Sequence, residues 1–352
     1  MRLFVLFGIC ILTLPPVPAS AQDKLLDLPE GKPLVVGQTY TLQSAVMGAE
    51  RKITIRLPTG YAKEPERKYD VIYVIDGGPE QDFPHIAGIA QSRDMNWTFK
   101  PFILVGIETV QRRAEISPAV VDPTLYKIGL GATPGGSAKF RKFIAKEVKP
   151  WVEARLRTSG HDGVIGESLA GLFIVETLFE MPDLFDDYIA ISPSMWWEKL
   201  KYGREAKGYL DKLPSTEKRL YLTIANEGYD HRKGILLLVD ALKNDAPDSL
   251  KWTFVPQNKT ETHGSIYHGA ALDAFRAFYG MAERTTKSYT PMSGDPIPKR
   301  TAKQQARLDA PCTPENTRHT NPQETSPYND EFPYECIQHD YGPRAEAGNF
   351  TP

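Results

Sequence analysis

The feature that most constrains the fold is the stretch Gly-Val-Ile-Gly-Glu-Ser-Leu-Ala-Gly at residues 163–171. A short apolar run leads into a tight turn at Ser168, and apolar residues then recur at helical spacing at Leu169, Phe173, Val175 and Leu178. This order predicts a β-strand, a sharp turn and an amphipathic helix. The plain alternative is a glycine-rich turn in which Ser168 only caps the helix.

A strand, a sharp turn and a helix in this order are how an α/β-hydrolase exposes its nucleophilic serine. The Ser168 hydroxyl would stand clear of the sheet, and the N–H of Leu169 would face the charge that develops on a substrate carbonyl oxygen. Ala170 occupies the place where a second glycine is usual. Because alanine is the smallest replacement, we expect the turn to persist.

Candidates for a catalytic acid and base follow later strands, in the order acid and then histidine that this fold requires. The β-branched and aromatic run 219–225 predicts a strand, and it leads into a loop that carries Glu227 and Asp230. A second strand at 252–255 leads into His263. A carboxylate and an imidazole are therefore both expected just past strand ends.

The N-terminal half supplies the remaining strands. Residues 40–44 and 51–56 are typical of antiparallel strands, with alternation of apolar and polar side chains in the second. Residues 71–75 and 102–107 are continuous apolar runs, which favour strands buried on both faces. A helix pattern lies between residues 136 and 158. We predict an α/β-hydrolase fold: a mostly parallel sheet, helices on both faces, and antiparallel N-terminal strands.

Several ordered motifs resemble the esterase D family of α/β-hydrolases, which includes the enterobactin and salmochelin siderophore esterases. The similar segments are 44–51, 53–61, the strand that ends in Asp76-Gly77, the turn at Ser168, Ser-Pro-Ser-Met-Trp-Trp at 192–197 and Glu-Thr-His-Gly-Ser at 261–265. The resemblance covers roughly residues 38–282. It implies Ser168 as the nucleophile, His263 as the general base and Glu227 as the acid, with Asp230 as the alternative acid.

Other residues could complete such a site. Gly77 and Gly78 end a buried strand, so either N–H could join that of Leu169 in an oxyanion hole. Trp196 and Trp197 could line an aromatic acyl or alcohol pocket, or could pack in the core. A further candidate for the substrate pocket is Arg112, which could hold an acidic substrate or lie in a solvated loop.

Charge and motifs limit the possible functions. A formal net charge of −2 gives no electrostatic footprint for nucleic acid. The sequence has neither metal-ligand spacing nor a phosphate-binding glycine loop, so we expect no metal and no cofactor. We expect a serine esterase that acts on a small-molecule ester through an acyl-enzyme. Two alternatives stay open: an acyltransferase with the same triad, and a binding protein on a hydrolase scaffold without activity.

Both ends of the chain differ from its centre. Residues 1–21 predict a secretory signal peptide cleaved after Ala21, and hence a secreted or periplasmic protein with no membrane span in its mature form. Residues 285–352 carry ten of the 29 prolines and no apolar periodicity, which predicts a disordered tail outside a hydrolase domain at 22–284. Cys312 and Cys336 lie in this tail and could pair in an oxidising compartment.

Overall fold

A computed structural model of the chain describes residues 31–96, 98–121, 133–281 and 346–348. Residues 31–35 belong to a separate N-terminal unit and contain neither helix nor strand. The unit from Val36 onward carries the helices and strands described below. The predicted signal peptide, Cys312 and Cys336 lie outside the described residues, as does nearly all of the predicted tail.

The described residues form one sheet. Its strands are β1 (Gln38–Ser44), β2 (Ala49–Arg56), β3 (Tyr69–Ile75), β4 (Ile103–Ile107), β5 (Thr158–Glu167), β6 (Asp187–Ile191), β7 (Lys218–Ile224), β8 (Leu250–Pro256) and β9 (Glu346–Gly348). The order across the sheet is β1-β2-β4-β3-β5-β6-β7-β8-β9. Strands β3 to β8 run parallel, whereas β1, β2 and β9 pair antiparallel with their neighbours. The predicted mostly parallel sheet with antiparallel N-terminal strands is confirmed.

Strand β9 belongs to the segment predicted as a tail, and its three residues pair with β8. The domain boundary at residue 284 stays a prediction.

Helices cover both faces of the sheet, as predicted. They are α1 (Phe83–Asn96), α2 (Arg112–Ile116), α3 (Ser137–Phe143), α4 (Lys149–Glu153), α5 (Leu169–Glu180), α6 (Trp197–Arg204), α7 (Ala206–Leu210), α8 (Tyr229–Asp245) and α9 (Ile266–Tyr279). A π-helical turn at Ile144–Val148 joins α3 to α4, and 3₁₀ turns lie at Tyr61–Lys63 and Pro182–Leu184. One apolar cluster packs α5 and α8 against the sheet, and a second packs α1 and α9 against it.

No helix within the described ranges combines the length and apolar character needed to cross a bilayer.

The turn between β5 and α5 is built as the sequence predicts. Ser168 lies there with φ 62° and ψ −117°, a backbone conformation that a non-glycine residue rarely adopts. A Cβ placed on Gly166 would lie 2.7 Å from the Cβ of Ala170. The alanine at 170 is therefore accommodated because the glycine at 166 leaves room for it.

A buried hydrogen-bond network near the amino ends of the parallel strands anchors helix α9. The Asp187 carboxylate, at the start of β6, accepts hydrogen bonds from Arg219 (2.6 Å to each oxygen), Tyr279 (2.7 Å) and His161 (2.8 Å). Burial alone would raise the pKa of Asp187, but the bonds from His161 and Arg219 outweigh burial and lower it. His161 lies in β5, and its side chain joins that strand to the start of β6.

Candidate active site

Three side chains meet at the carboxyl edge of the parallel strands. The Oγ of Ser168 lies 2.9 Å from Nε2 of His263, and Nδ1 of His263 lies 2.6 Å from Oε1 of Glu227. Ser168 follows β5, Glu227 follows β7, and His263 lies between β8 and α9. Because parallel strands end at the same edge, residues far apart in sequence come together here.

The hydrogen bonds define the protonation pattern of the three groups. A carboxylate oxygen can only accept, so Nδ1 of His263 carries the proton that is donated to Glu227. Nε2 is then left with a lone pair, which accepts the hydroxyl proton of Ser168. This is the arrangement that lets an imidazole remove a proton from an attacking hydroxyl.

The loops that carry Glu227 and His263 are tied to each other. The N–H of Asn226 donates to the carbonyl of Glu261 at 2.8 Å, and Asn226 forms a parallel bridge with Thr262. Glu227 and His263 are therefore held by adjoining backbone segments, which limits their relative motion.

Glu227 is held by more than His263. The Ser192 hydroxyl donates to Oε1 of Glu227 at 2.6 Å, and Nδ1 of His231 lies 3.3 Å from Oε2. Burial alone would raise the pKa of Glu227, but the hydrogen bonds from Ser192 and His263 outweigh burial and lower the pKa below its ordinary value. Glu227 is therefore an ionised, fixed acceptor at neutral pH.

The alternative acid, Asp230, and the nearby His268 both lie away from this group. Helix α8 begins at Tyr229, five residues earlier than the apolar pattern suggested, so Asp230 is the second residue of a helix and is exposed. His268 is exposed on α9, with its ring centroid 5.9 Å from that of His85. The structure thus brings Glu227, and not Asp230, into contact with His263.

His231 is a member of the site that the sequence did not reveal. It lies one helical turn after Glu227, its side chain is buried, and its Nε2–H donates to the carbonyl of Pro193. Burial lowers its pKa, against the opposing charge of Glu227. The signal for it was the four-residue spacing from Glu227, which was hidden because this part of α8 was predicted to be a loop.

Glu227, His231 and His263 also form the type of group that can ligate a metal ion. One potential ligand atom from each lies within 4.8 Å of the others in the described part of the chain. The carboxylate and Nδ1 of His263 already share a hydrogen bond at 2.6 Å. A metal ion that used both would therefore have to displace the Nδ1 proton.

The three candidate oxyanion donors differ in their partners. Leu169 is the first residue of α5, where the N–H has no partner within the helix. The N–H of Gly77 donates to the carbonyl of Ile107 at 2.8 Å, whereas that of Gly78 donates to the side chain of Gln81 at 3.0 Å. A side chain can rotate away from a substrate more easily than a strand can, so Gly78 is the more available of the two.

The predicted pocket residues differ in how far they are buried. Trp197 is fully buried in the core, which favours the packing alternative for this side chain, while Trp196 is only partly buried. The Nε of Arg112 donates to Asp76 at 2.5 Å, and the Arg112 side chain remains 39% exposed. Of these residues, Trp196 and Arg112 have surface that a substrate could contact.

Glu167, directly before Ser168, is the least expected feature of the site. Its Oε1 is buried, has no hydrogen-bond partner among the described residues, and lies 3.4 Å from Nε2 of His263. Burial raises the pKa of Glu167 to about 7, although the nearby charge of His263 opposes the rise. The sequence places glutamate in the turn motif but gives no sign that its side chain faces His263.

The known proteins that this chain resembles are esterases and a serine hydrolase. The sequence model of the Esterase family, described as "Putative esterase", matches residues 44–249. A siderophore enterobactin esterase of Emericella nidulans is 40% identical over 79 residues, which are 22% of this chain and 26% of that protein. A siderophore triacetylfusarinine C esterase of Aspergillus fumigatus is 39% identical over 79 residues, 22% of this chain and 27% of that protein. The chain thus matches about a quarter of the length of these curated relatives.

A solved structure extends the likeness to a larger share of the chain. The IroE-like serine hydrolase of Shewanella oneidensis superimposes with a TM-score of 0.62 and 28% sequence identity, over 69% of this chain and 80% of that one. This similarity confirms the α/β-hydrolase fold.

Proposed function

The chain belongs to the Esterase family, as its motifs predicted, and from this membership we propose that it is a serine esterase that hydrolyses carboxylic esters through an acyl-enzyme. The observation that carries the proposal is the continuous hydrogen-bond path from Ser168 through His263 to Glu227, with lengths of 2.9 and 2.6 Å.

In the proposed reaction the Oγ of Ser168 attacks the ester carbonyl while its proton passes to Nε2 of His263. Glu227 stabilises the imidazolium that forms and keeps it oriented. The N–H of Leu169 and, once Gln81 turns aside, that of Gly78 bind the oxyanion. The imidazolium then gives its proton to the leaving alcohol, and water releases the acid in a second, equivalent cycle.

We propose siderophore-type or aryl esters as the substrates. The relatives named above are siderophore esterases, and the partly buried indole of Trp196 follows β6 at the carboxyl edge, where ligands bind in such sheets. Arg112, exposed on one side, could contact an anionic group of the substrate. A panel of aryl esters, feruloyl esters and trilactone siderophores, in ferric and iron-free form, would distinguish these classes by their kcat/KM.

We also propose that the protein is exported and does not bind nucleic acid. Residues 1–21 have the charge, apolar run and small-residue site of a signal peptide, and the net charge of −2 gives no basic surface excess. The mature protein should then begin at Gln22. N-terminal sequencing of protein from the periplasm or medium tests this, and an intact Met1 in a purely cytoplasmic fraction contradicts it.

The decisive experiment on the activity compares two serine variants. Ser168→Ala should lower kcat/KM by about 10⁴-fold or more, because the nucleophile is lost. Ser194→Ala is the matched control, since its hydroxyl lies 3.4 Å from that of Ser168 and is buried nearby. A fluorophosphonate should label the native protein and Ser194→Ala, but not Ser168→Ala. Near-native turnover by a folded Ser168→Ala variant would rule out the serine mechanism.

A further inference from the structure

One carboxyl oxygen at the site has no function in the reaction just described. Oε1 of Glu167 is buried, lacks a hydrogen-bond partner among the described residues, and lies 3.4 Å from Nε2 of His263. The same nitrogen lies 2.9 Å from Oγ of Ser168. The atom that receives the catalytic proton is therefore flanked by two oxygens.

A structural role does not account for this oxygen. Leaving a buried acceptor without a donor costs free energy, and the cost is larger for a charged group. Within the described residues, Glu167 forms no ion pair with a lysine or an arginine. Its side chain is only 16% exposed. The position therefore costs the folded chain stability, and a function in the reaction would explain why it is occupied by glutamate.

The resting site offers no such donor, but the reacting site does. While Nδ1 of His263 donates to Glu227, Nε2 holds a lone pair that faces Glu167 as well as Ser168. When Nε2 takes up the serine proton it becomes an N–H, and Oε1 of Glu167 is the second acceptor within reach. An acceptor that is satisfied only after proton transfer stabilises the charged state selectively.

We propose, on the basis of the esterase function proposed above, that Glu167 is a further catalytic residue: its carboxylate accepts the Nε2–H of His263 while that imidazole is charged. It thereby stabilises the tetrahedral intermediate, in which the imidazolium exists, relative to the resting enzyme.

The proton balance of the step is simple. The bond between Oγ of Ser168 and the carbonyl carbon forms as the serine proton moves to Nε2, and the carbonyl electron pair moves to the oxyanion. The Nε2–H is shared with Glu167 until the leaving oxygen approaches. The proton then passes to that oxygen as the carbon–oxygen bond breaks. Glu167 holds no proton of its own at the start or at the end.

This role requires the ionised form of Glu167. Other groups act on its charge: His263 and Arg112 favour the carboxylate, whereas Asp82 and Glu227 oppose it, and the Tyr267 hydroxyl on α9 lies within electrostatic range. With burial included, the pKa of Glu167 is raised to about 7. Below neutral pH the carboxyl carries its own proton and so lacks the negative charge that stabilises the imidazolium of His263. The contribution of Glu167 should therefore appear above neutral pH and vanish below it.

The test is the pH dependence of Glu167→Met, which keeps the length of the side chain but removes the acceptor. At about pH 8.5 we expect kcat to fall roughly 10-fold or more with KM changed less than about 3-fold, because Glu167 contacts the base and not the substrate. At about pH 6 the variant and the native enzyme should agree within about 3-fold, since the native carboxyl is then protonated.

Asp82→Asn is the matched control. It removes a negative charge that acts on Glu167 but leaves Oε1 beside His263. Its kcat should stay within about 3-fold of the native value at both pH values. If the methionine variant fails to fold, Glu167→Gln replaces it, because glutamine preserves the shape and polarity of the side chain but not its charge. We expect the same loss of kcat at high pH and the same agreement with the native enzyme at low pH.

Three results would overturn the role of Glu167. They are an equal loss at both pH values, no loss at either, and an Asp82→Asn variant that shows the same pattern as Glu167→Met. Failure of the esterase function itself would be separate, since it would show as native-like turnover by Ser168→Ala or absence of fluorophosphonate labelling in the native protein.

Discussion

The hydroxyl of Ser192 donates a hydrogen bond of 2.6 Å to Glu227, on the same carboxylate oxygen that faces the Nδ1–H of His263. Ser192 lies directly after β6 and is fully buried. Glu227 is thus held by a residue at the end of β6, in addition to β7, the strand that it follows. Such a bond keeps the carboxylate ionised and aligned with the imidazole.

We therefore expect Ser192→Ala to lower kcat by about 5- to 50-fold with little change in KM, because the acid loses alignment while the nucleophile and base remain. Steady-state kinetics at a pH above neutral measure kcat and KM separately. Ser194→Ala, two residues along the same turn, is the control because no hydrogen bond joins Ser194 to Glu227 among those described. An unaltered kcat in Ser192→Ala would mean that His263 alone orients the acid.

The acid is tested by a pair of variants on the same loop and helix. Glu227→Gln should lower kcat by about 10²- to 10⁴-fold, because the imidazole loses the carboxylate that stabilises its charged form. Asp230→Asn should be nearly silent, since that side chain is exposed on α8. Kinetics at one pH, with circular dichroism to verify folding, separate the two. If Asp230→Asn were the severe variant, the acid would be Asp230.

The raised pKa of Glu167 predicts a pH-dependent cost in stability. Its folded-state pKa of about 7 lies above the ordinary value of 4.5, so the folded chain binds this proton more tightly than the unfolded chain. The free energy of unfolding therefore falls as pH rises from about 4.5 to about 7, and the deficit is complete above that range. Glu167→Gln should match the native protein near pH 4 and exceed its stability by up to about 3 kcal/mol near pH 8.5.

Urea unfolding of both proteins at the two pH values measures this difference. Glu80→Gln is the control, because Glu80 is exposed and its substitution should change the free energy of unfolding equally at both pH values. A Glu167→Gln variant no more stable than the native protein above neutral pH would show that Oε1 is satisfied in the resting enzyme.

The fit between Gly166 and Ala170 can be measured by a double-mutant cycle. Gly166→Ala should destabilise the fold by about 1–3 kcal/mol, since the added Cβ would lie 2.7 Å from that of Ala170 and 3.2 Å from Cδ1 of Ile174. In an Ala170→Gly background the cost of the same substitution should fall by about half, because the shortest of the three close contacts, with the Cβ of Ala170, is gone. Strictly additive free energies of unfolding would contradict this explanation of the alanine at 170.

The sequence predicted the sharp turn at Ser168 because the strand, turn and helix signals follow one another directly over residues 163–178. The choice between Glu227 and Asp230 was harder, because it depended on where α8 begins. The apolar pattern of α8 starts at Gly234, but the helix itself starts at Tyr229. The first turn of this helix is polar and exposed, so hydrophobic periodicity could not detect it.

The supporting residues could not be predicted because they act across the sheet. Ser192 reaches Glu227 from the neighbouring strand, 35 residues away, and Gln81 reaches Gly78 through a local turn that carries no strong signal. Glu167 reaches His263 only because β5 and the loop after β8 end at the same edge. These contacts follow from strand order and side-chain direction, which hydrophobic patterns in one sequence do not specify.

The backbone at Ser168, with φ 62° and ψ −117°, has an evolutionary consequence. A serine held in this conformation costs about 1–3 kcal/mol, and a glycine would be free of most of that cost. Two adjacent positions, 167 and 168, are thus occupied by residues that the fold alone would replace. Lineages released from selection for the proposed activity should drift first toward glycine at 168 and an uncharged residue at 167, and should gain thermal stability as they do so. A pseudo-enzyme of this lineage should therefore be recognisable by these two positions before the rest of the chain diverges.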